Sequence, residues 1–194
     1  ENESNFYVYR RKIDFLTKNK NAYTMFAFLI GKKGHFYRSK IKTKLHIFLE
    51  THEDTGLNFY MHAPFIPNSS RTEIDLNDKN NKKILNNCID SFSKLIEKLK
   101  KSKLLNISFI EVLPNYDQQN DSNKFEKLHT KIQECLTKEA VWPCTDQSYQ
   151  IARDVKLWGL SKKNIFTDYD LKVLTVNKNA RWLKENQHTS KSII

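Results

Sequence analysis

The sequence predicts an α/β fold, in which helices pack on a mixed β-sheet as an αβα sandwich, with an α+β arrangement as the alternative. Two observations lead to this prediction. Segments rich in aromatic and β-branched residues fill the first sixty-five residues, and a long segment with helical periodicity follows them. Shorter helical and extended segments then alternate. A chain of 194 residues is long enough to bury a core of its own.

The early segments have the composition of β-strands, because aromatic and β-branched side chains suit a pleated, half-buried surface. They are FYVYRRKIDF (6–15), AYTMFAFLIG (22–31), KLHIFLE (44–50) and LNFYMHAPF (57–65). Between them, GKKG (31–34) and THEDTG (51–56) have the composition of turns. We therefore expect ordered hairpins in this part of the chain.

A helical period begins at Asn80 and continues to about Lys103, with lysines and Glu97 on much of its polar side. Its apolar residues recur every three or four positions: Leu85, Cys88, Ile89, Phe92, Leu95, Ile96 and Leu99. Burying such side chains against a sheet is worth about 1.5–3 kcal/mol each before entropy is subtracted. This helix is therefore expected to be a principal element of the core.

The remaining segments are shorter. We predict a buried strand in LLNISFIEVLPN (104–115), a second amphipathic helix in FEKLHTKIQECL (125–136), extended chain in AVWPC (140–144) and SYQIARDVKLW (148–158), and a last helix from about Tyr169 through ARWLKEN (180–186). The predicted organisation is a strand-rich core over residues 1–121. Residues 122–194 form a smaller α/β subdomain or an extension of the same domain.

The charge of the chain permits an anionic partner. Lys and Arg number 33 against 22 Asp and Glu, a formal net charge of +11. Such a balance suits nucleic acid, anionic lipid or phosphate ligands. The chain is also rich in Lys, Asn and Ile together, and an AT-rich genome would give this composition, and with it the positive charge, without any anionic partner. The charge alone leaves both interpretations open.

The sequence predicts a cytoplasmic protein without a membrane span. It contains no run of about eighteen apolar residues and no basic segment followed by an apolar run and a cleavage site. The cysteines, Cys88, Cys135 and Cys144, are odd in number and include no C-x-x-C pair. Neither a disulfide framework nor a structural zinc site is therefore expected, and a reducing compartment is the simple inference.

Known nucleotide- and metal-binding motifs are missing from the sequence. The glycines, Gly31, Gly34, Gly56 and Gly159, cannot assemble a Walker loop or a dinucleotide fingerprint. The histidines have no metal-ligand spacing, and ETHED (50–54) has the composition of a solvated turn rather than of a metal site. We therefore predict no metal site and no nucleotide cradle in this chain.

The G-x-x-G sequence at Gly31–Gly34 has the form of the loop with which KH domains clamp a nucleic-acid backbone. A KH loop joins two helices, whereas strand candidates precede this one, so we predict a hairpin turn. Its cations still make it a candidate contact for phosphates. The residues of this alternative nucleic-acid site are Lys32, Lys33, Arg38 and Lys40.

The segment HAPFIPNSSRTEID (62–75) combines helix-capping residues with an arginine. Asn68, Ser69 or Ser70 is expected to cap a helix, with Glu73 completing a capping box. A cation such as Arg71 is disfavoured at a helix N-terminus by about 0.3–1 kcal/mol. Two interpretations remain: Arg71 extends into solvent, or the guanidinium, the serine hydroxyls and first-turn amides together bind an anion.

Residues 44–115 resemble the region that follows the nucleotide-binding domain in sacsin-like ATPases and in bacterial ATPases similar to the ninety-kilodalton heat-shock chaperones, both of the GHKL superfamily. The matching residues are Thr55-Gly56-Leu57, Ala63-Pro64-Phe65, Ser70-Arg71 and Leu113-Pro114-Asn115. In the chaperones the middle domain supplies an arginine from an N-x-S-R sequence that leads into a helix. Asn68-Ser69-Ser70-Arg71 has this form.

The resemblance implies a transducer-type middle domain that packs against a separate N-terminal nucleotide-binding domain. Arg71 would then be the catalytic residue that reaches the terminal phosphate of ATP, and Asn68, Ser69 and Ser70 would shape its loop. ATP and Mg²⁺ would be held by the other domain, because the family's catalytic glutamate, magnesium-linked asparagine and glycine-containing lid motifs are not found in this sequence. No enzymatic activity is expected from this chain alone. The alternatives are a nucleic-acid-binding module and a protein-interaction domain.

Overall fold

A computed structural model describes residues 5–16, 22–70, 72–114, 124–157 and 167–184. Its strands are β1 (Asn5–Lys12), β2 (Tyr23–Ile30), β3 (Phe36–Tyr37), β4 (Lys44–Ile47), β5 (Leu49–Asp54), β6 (Tyr60–His62), β7 (Trp142–Pro143), β8 (Tyr149–Gln150), β9 (Val155–Lys156) and β10 (Arg181–Trp182). Its helices are α1 (Lys79–Lys101), α2 (Ile107–Val112), α3 (Glu126–Lys138) and α4 (Asp168–Thr175).

The main sheet is mixed, which confirms the predicted α/β fold with a mixed sheet. Its strand order is β1-β2-β6-β4-β5, and β3 pairs with the end of β2. The pairs along this path are antiparallel except for β4 and β6, which are parallel. The β1–β2 hairpin pairs along its full length, from Asn5 opposite Ile30 to Lys12 opposite Tyr23. The first two segments therefore form a hairpin, as expected. The expected hairpin between KLHIFLE and LNFYMHAPF is wrong, because β4 and β6 pair in parallel.

Helix α1 covers one face of this sheet. The ring of Phe92 contacts Phe26 edge-on, with centroids 6.0 Å apart, and stacks on Phe59 at 6.3 Å. Asp78 caps the helix by accepting hydrogen bonds from the amides of Asn80 and Asn81. The predicted helix is confirmed because its apolar stripe is buried as expected. Lysines in its last turn stabilise the helix further, because their positive charges lie near the negative end of the helix dipole.

Helix α2 occupies a segment that was predicted to be a strand, so that prediction is wrong. The side chain of Asn106 caps it by accepting a hydrogen bond from the amide of Phe109. Phe109 and Ile107 are fully buried, and the Phe109 ring packs at 5.1 Å from Phe28. A short apolar run fits a buried strand and a buried helix equally well, and here the Asn106 cap selects the helix.

Helix α3 confirms the second predicted amphipathic helix and joins the same core as the sheet. Leu128, Ile132 and Cys135 belong to the buried cluster that contains Phe26 and Phe92. The buried His129 is bonded through Nε2 to the carbonyl oxygen of Thr55 at 2.8 Å. The domain boundary near residue 122 stays a prediction, since residues 115–123 lie outside the described residues.

Two predictions at the β4–β5 hairpin are wrong. The expected strand KLHIFLE is interrupted at Phe48, which has a positive φ of 61° and turns the chain between β4 and β5. Residues 51–54 were expected to form a turn, but they belong to β5, because backbone pairing with β4 extends from Leu49 to Asp54. Aromatic residues rarely adopt positive φ, so the sequence does not signal this break.

The last helix is also shorter than predicted. Thr167 and Asp170 form a capping box at the start of α4, which ends at Thr175 with Val176 in a left-handed conformation. Arg181 and Trp182 then pair in parallel with β9 as β10. Within the described ranges, α1 and α2 contact one face of the main sheet, so the third layer of the expected αβα sandwich stays a prediction. None of the described helices is both long and apolar enough to cross a membrane.

Replacing Phe92 with Ala tests the packing of α1 on the sheet. We expect the free energy of unfolding to fall by about 3–5 kcal/mol, because the substitution leaves a cavity between Phe26 and Phe59. Urea denaturation measures this as a lower midpoint at an unchanged slope. Asn86→Ala, on the exposed side of the same helix, is the control and should leave the midpoint nearly unchanged. Equal effects of the two substitutions would contradict this packing.

Candidate functional site

The loop from Pro64 to Asp78 connects β6 to α1 and contains the predicted phosphate-site residues. Asn68, Ser69 and Ser70 are exposed in it, and Arg71 lies outside the described residues. The expected helix start at Asn68, Ser69 or Ser70 is wrong. Pro67 instead pairs with Ile74 in an antiparallel bridge, and the amide of Asn68 donates to the carbonyl of Glu73 at 2.8 Å. These contacts close a turn, and α1 begins only after Asp78.

The side chain of Asn68 organises this turn. Its Oδ1 accepts hydrogen bonds from the Ser70 hydroxyl at 2.9 Å and from the amides of Thr72 and Glu73 at 3.1 and 3.3 Å. The Ser70 and Thr72 hydroxyl oxygens lie 2.7 Å apart. Asparagine is suited to this role because its short side chain reaches amides further along its own turn. We call residues 67–74 the Asn68 turn.

The side chain of Asn81 links the Asn68 turn to the first turn of α1 through hydrogen bonds. This residue is 1% exposed. It accepts a hydrogen bond from the amide of Ile66 at 2.8 Å and donates to the carbonyl oxygens of Ile66 and Asp75, both at 2.9 Å. The bonded residues flank the turn on both sides. Separating the loop from α1 would therefore leave the buried side-chain amide of Asn81 without these partners.

A network of ion pairs stabilises the other side of the Asn68 turn. Lys124 lies 2.7 Å from a carboxylate oxygen of Glu53 on β5 and 3.5 Å from one of Glu73. The same Glu53 oxygen accepts the amide of Ile74 at 3.2 Å. Partial burial lowers the pKa of Lys124, but the hydrogen bonds and charges of Glu53 and Glu73 outweigh this effect and raise it. The turn is thus connected to the sheet and to the chain just before α3.

The contacts identify two residues that hold the Asn68 turn in place and that the sequence prediction missed. Asn81 lies four residues before Leu85 on the apolar stripe of α1, and a polar residue on such a stripe signals a buried hydrogen-bonding role. Lys124 carried no comparable signal, because its partners Glu53 and Glu73 are distant in sequence.

The predicted basic residues lie around the turn between β2 and β3. Because β2 and β3 pair antiparallel, the prediction of a hairpin turn at Gly31–Gly34 is confirmed. Lys32 and Lys33 are exposed on it, and Lys40 is exposed in the segment after β3. Arg38 donates a hydrogen bond to the carbonyl oxygen of Glu111. The four cations are therefore spread along this region, and one of them is already bonded to the backbone.

The described residues contain no group of three or more His, Cys, Asp and Glu side chains that could hold a metal ion. In the acidic segment 50–54, the strand alternation separates the side chains. Thr51 is buried, and Glu53 points towards Lys124 with 11% of its side chain exposed, whereas Glu50 is exposed. The cysteines are free and buried, and burial raises the pKa of Cys88 to about 12. A thiol with such a pKa is a poor nucleophile.

Comparison of the chain with protein-family models, curated proteins and solved structures gives no match. The resemblance to the GHKL ATPases therefore stands on the motifs of residues 44–115 alone. Thr55-Gly56-Leu57 follow β5, Ala63-Pro64-Phe65 and Ser70 lie in the loop after β6, and Leu113 and Pro114 follow α2. Arg71 and Asn115 lie outside the described residues.

Replacing Asn81 with Ala tests the connection between the Asn68 turn and α1. We expect a loss of about 2–3 kcal/mol in the free energy of unfolding, because the amide of Ile66 and two carbonyls lose their buried partner. Asn80→Ala is the matched control, since the neighbouring Asn80 side chain is exposed. Urea denaturation of both variants measures the difference. A loss no larger than that of the control would show that Asn81 does not hold the loop.

Proposed function

We propose that this chain is the middle, transducer-type domain of a chaperone-like GHKL ATPase. In this proposal the Asn68 turn faces a separate N-terminal nucleotide-binding domain, and Arg71 reaches the terminal phosphate of bound ATP. The observation that supports the proposal best is the Asn81 connection. It joins the segment that carries the N-x-S-R sequence to the longest helix of the described structure.

The exposed turn provides groups that suit an anionic partner. The residues on either side of Arg71, Ser70 and Thr72, carry hydroxyl groups, and Asn68 holds them in a closed turn. Ser69 adds a further exposed hydroxyl. In the proposed role Arg71 supplies the positive charge, as a planar guanidinium that donates two parallel hydrogen bonds to phosphate oxygens.

The chemistry is divided between the two proposed domains. The nucleotide-binding domain holds ATP and Mg²⁺ and positions the attacking water. Arg71 stabilises the charge that develops on the transferred phosphoryl group, an effect that is worth about 10³–10⁵ in rate where such arginines are known. The present chain then contributes to turnover without binding the nucleotide tightly by itself.

The contacts around the turn also suit a relay of nucleotide state. A contact between Arg71 and the terminal phosphate exists only before hydrolysis, so it favours one docking arrangement of the two domains. The Asn68 turn is bonded to α1 through Asn81 and to Glu53 and Lys124 on the opposite side. A displacement of the turn would therefore be passed to the body of the domain.

Substituting Arg71 in the longer protein that carries both domains tests this role. We expect Arg71→Ala to lower ATP turnover by about 10³-fold or more and to leave nucleotide affinity nearly unchanged, because the arginine acts mainly on the transition state. Arg71→Lys should restore only part of the rate, since it keeps the charge and loses the planar fork. Steady-state turnover and equilibrium nucleotide binding measure the two effects.

The matched control is Lys82→Ala, which removes an exposed positive charge from α1. It should leave turnover within a few-fold of the parent protein, because long-range charge effects are screened by salt. Unchanged turnover in Arg71→Ala would contradict the assigned role. Equal losses of ATP turnover in Arg71→Ala and Lys82→Ala would show that the effect comes from net charge instead.

A further inference from the structure

The sheet face opposite α1 carries an open groove of about 440 Å³. Aromatic side chains from β1, β2, β6 and the β4–β5 hairpin dominate its lining: Phe6, Tyr23, Phe48 and Tyr60, with His46 and His62 beside them. All of the described residues that line it belong to strands or to the tip of the β4–β5 hairpin. Phe6 keeps 44% of its surface exposed, and Phe48 keeps 69%. Exposed aromatic rings beside an open groove make this face a candidate binding surface.

The rings form two rows that cross the sheet. In the first row, Phe6 meets Tyr60 with centroids 5.8 Å apart, and Tyr60 meets His46 at 6.0 Å. Ala27 lies opposite Tyr60 on β2, and its small side chain lets the rings of Phe6 and Tyr60 meet above it. This row therefore spans β1 to β4 as a continuous aromatic surface.

The second row begins with a cation. The Arg10 guanidinium lies 5.2 Å from the ring centroid of Tyr23, which lies 5.1 Å from that of His62. The ring of Phe48 completes the row at 5.5 Å from His62. Burial lowers the pKa of His62, so its ring is neutral near pH 7 and adds a further flat surface to the row.

Phe48 is held in a costly conformation that exposes its ring. Its φ of 61° lies in the left-handed region, which bulky side chains rarely adopt because it is strained. Its amide donates a hydrogen bond to Nδ1 of His62 at 3.4 Å. Packing does not explain the choice of Phe here, because the side chain is largely exposed. Strained, exposed residues of this kind are concentrated at binding sites.

The charges at the groove favour an anionic partner. Arg10 lines it, and the alternation of β1 places the exposed Lys12 on the same face. Among the described residues that line the groove there is no carboxylate, and Glu50 lies 3.8 Å from Nε2 of the lining residue His46. A second copy of the chain carries the same formal net charge of +11, which disfavours self-association.

We propose that this groove binds a single strand of nucleic acid, whose bases stack on the two aromatic rows while its phosphates contact Arg10 and Lys12. Neighbouring strands are about 4.8 Å apart, so a row that crosses four strands has room for several bases. Sheet surfaces that bind single strands combine these same features, aromatic platforms and nearby cations. The inference is independent of the proposed ATPase role.

The binding test uses the purified protein and a fluorescently labelled oligothymidylate of about twelve nucleotides, a length within the usual range of single-strand sites. Fluorescence anisotropy at low salt measures the affinity. We expect binding of the single strand and at least tenfold weaker binding of a duplex of the same length, because paired bases cannot stack on the rings. Absence of binding to the single strand at low salt would overturn the proposal.

The Phe48→Gly variant tests the contribution of this ring to binding without destabilising the fold. Glycine adopts positive φ without strain, so this variant should fold at least as stably as the parent protein while losing one stacking ring. We expect it to weaken single-strand binding by about 5- to 150-fold, the effect of removing one stacked aromatic. Phe48→Trp, which keeps a ring at this position, should retain binding within a few-fold.

Further variants identify the site. Tyr60→Ala should weaken binding as Phe48→Gly does, whereas Tyr169→Ala, which removes an exposed aromatic from α4, should not. Arg10→Ala should reduce the slope of log affinity against log salt by about 0.7, the value for one phosphate contact on a single strand.

Two results would overturn the proposal even if the protein binds the oligonucleotide. Unchanged affinity in both Phe48→Gly and Tyr60→Ala would move binding to another basic surface, such as the turn with Lys32 and Lys33. A dimer in sedimentation that Phe48→Gly converts to monomer would show that a second copy covers the groove.

Discussion

The packing of α1 against one face of the main sheet is the interaction on which the other features depend. The rings of Phe26, Phe59 and Phe92 meet in this contact, and they are 0%, 1% and 0% exposed. Because the contact fixes α1, it also fixes Asn81 in the first turn of that helix, and Asn81 holds the loop after β6. Because α1 lies on one face, the aromatic residues of the opposite face are available for the groove.

The two proposed sites therefore lie on different parts of one scaffold. The Asn68 turn lies at the start of α1, and its polar groups suit a phosphate that is carried by another domain. The groove lies on the open face of the sheet, and its rings suit flat, apolar groups next to negative charge. If both proposals hold, an ATPase of this kind would act on, or be controlled by, single-stranded nucleic acid.

The sequence predicted those elements whose signal is local and repeated. Helix α1 has seven apolar residues at helical spacing, and the first hairpin has aromatic and β-branched residues on both strands. The prediction failed where the same residues suit two local structures. Asn68, Ser69 or Ser70 was expected to cap a helix, but the bonds of Asn68 with Thr72 and Glu73 and the bridge between Pro67 and Ile74 select a turn. The groove had a local signal that was not used, since Phe6 and Val8 are apolar residues on the side of β1 that Tyr7 and Tyr9 do not occupy.

Hydrogen exchange measures whether the Asn68 turn and α1 form one body. The amides of Ile66 and Glu73 are expected to exchange nearly as slowly as those in the interior of α1, because local opening of the loop would break the hydrogen bonds of the buried Asn81 side chain. Exchange of the Ile66 and Glu73 amides at the rate of an unfolded chain, with α1 still protected, would show that the loop opens independently of the helix.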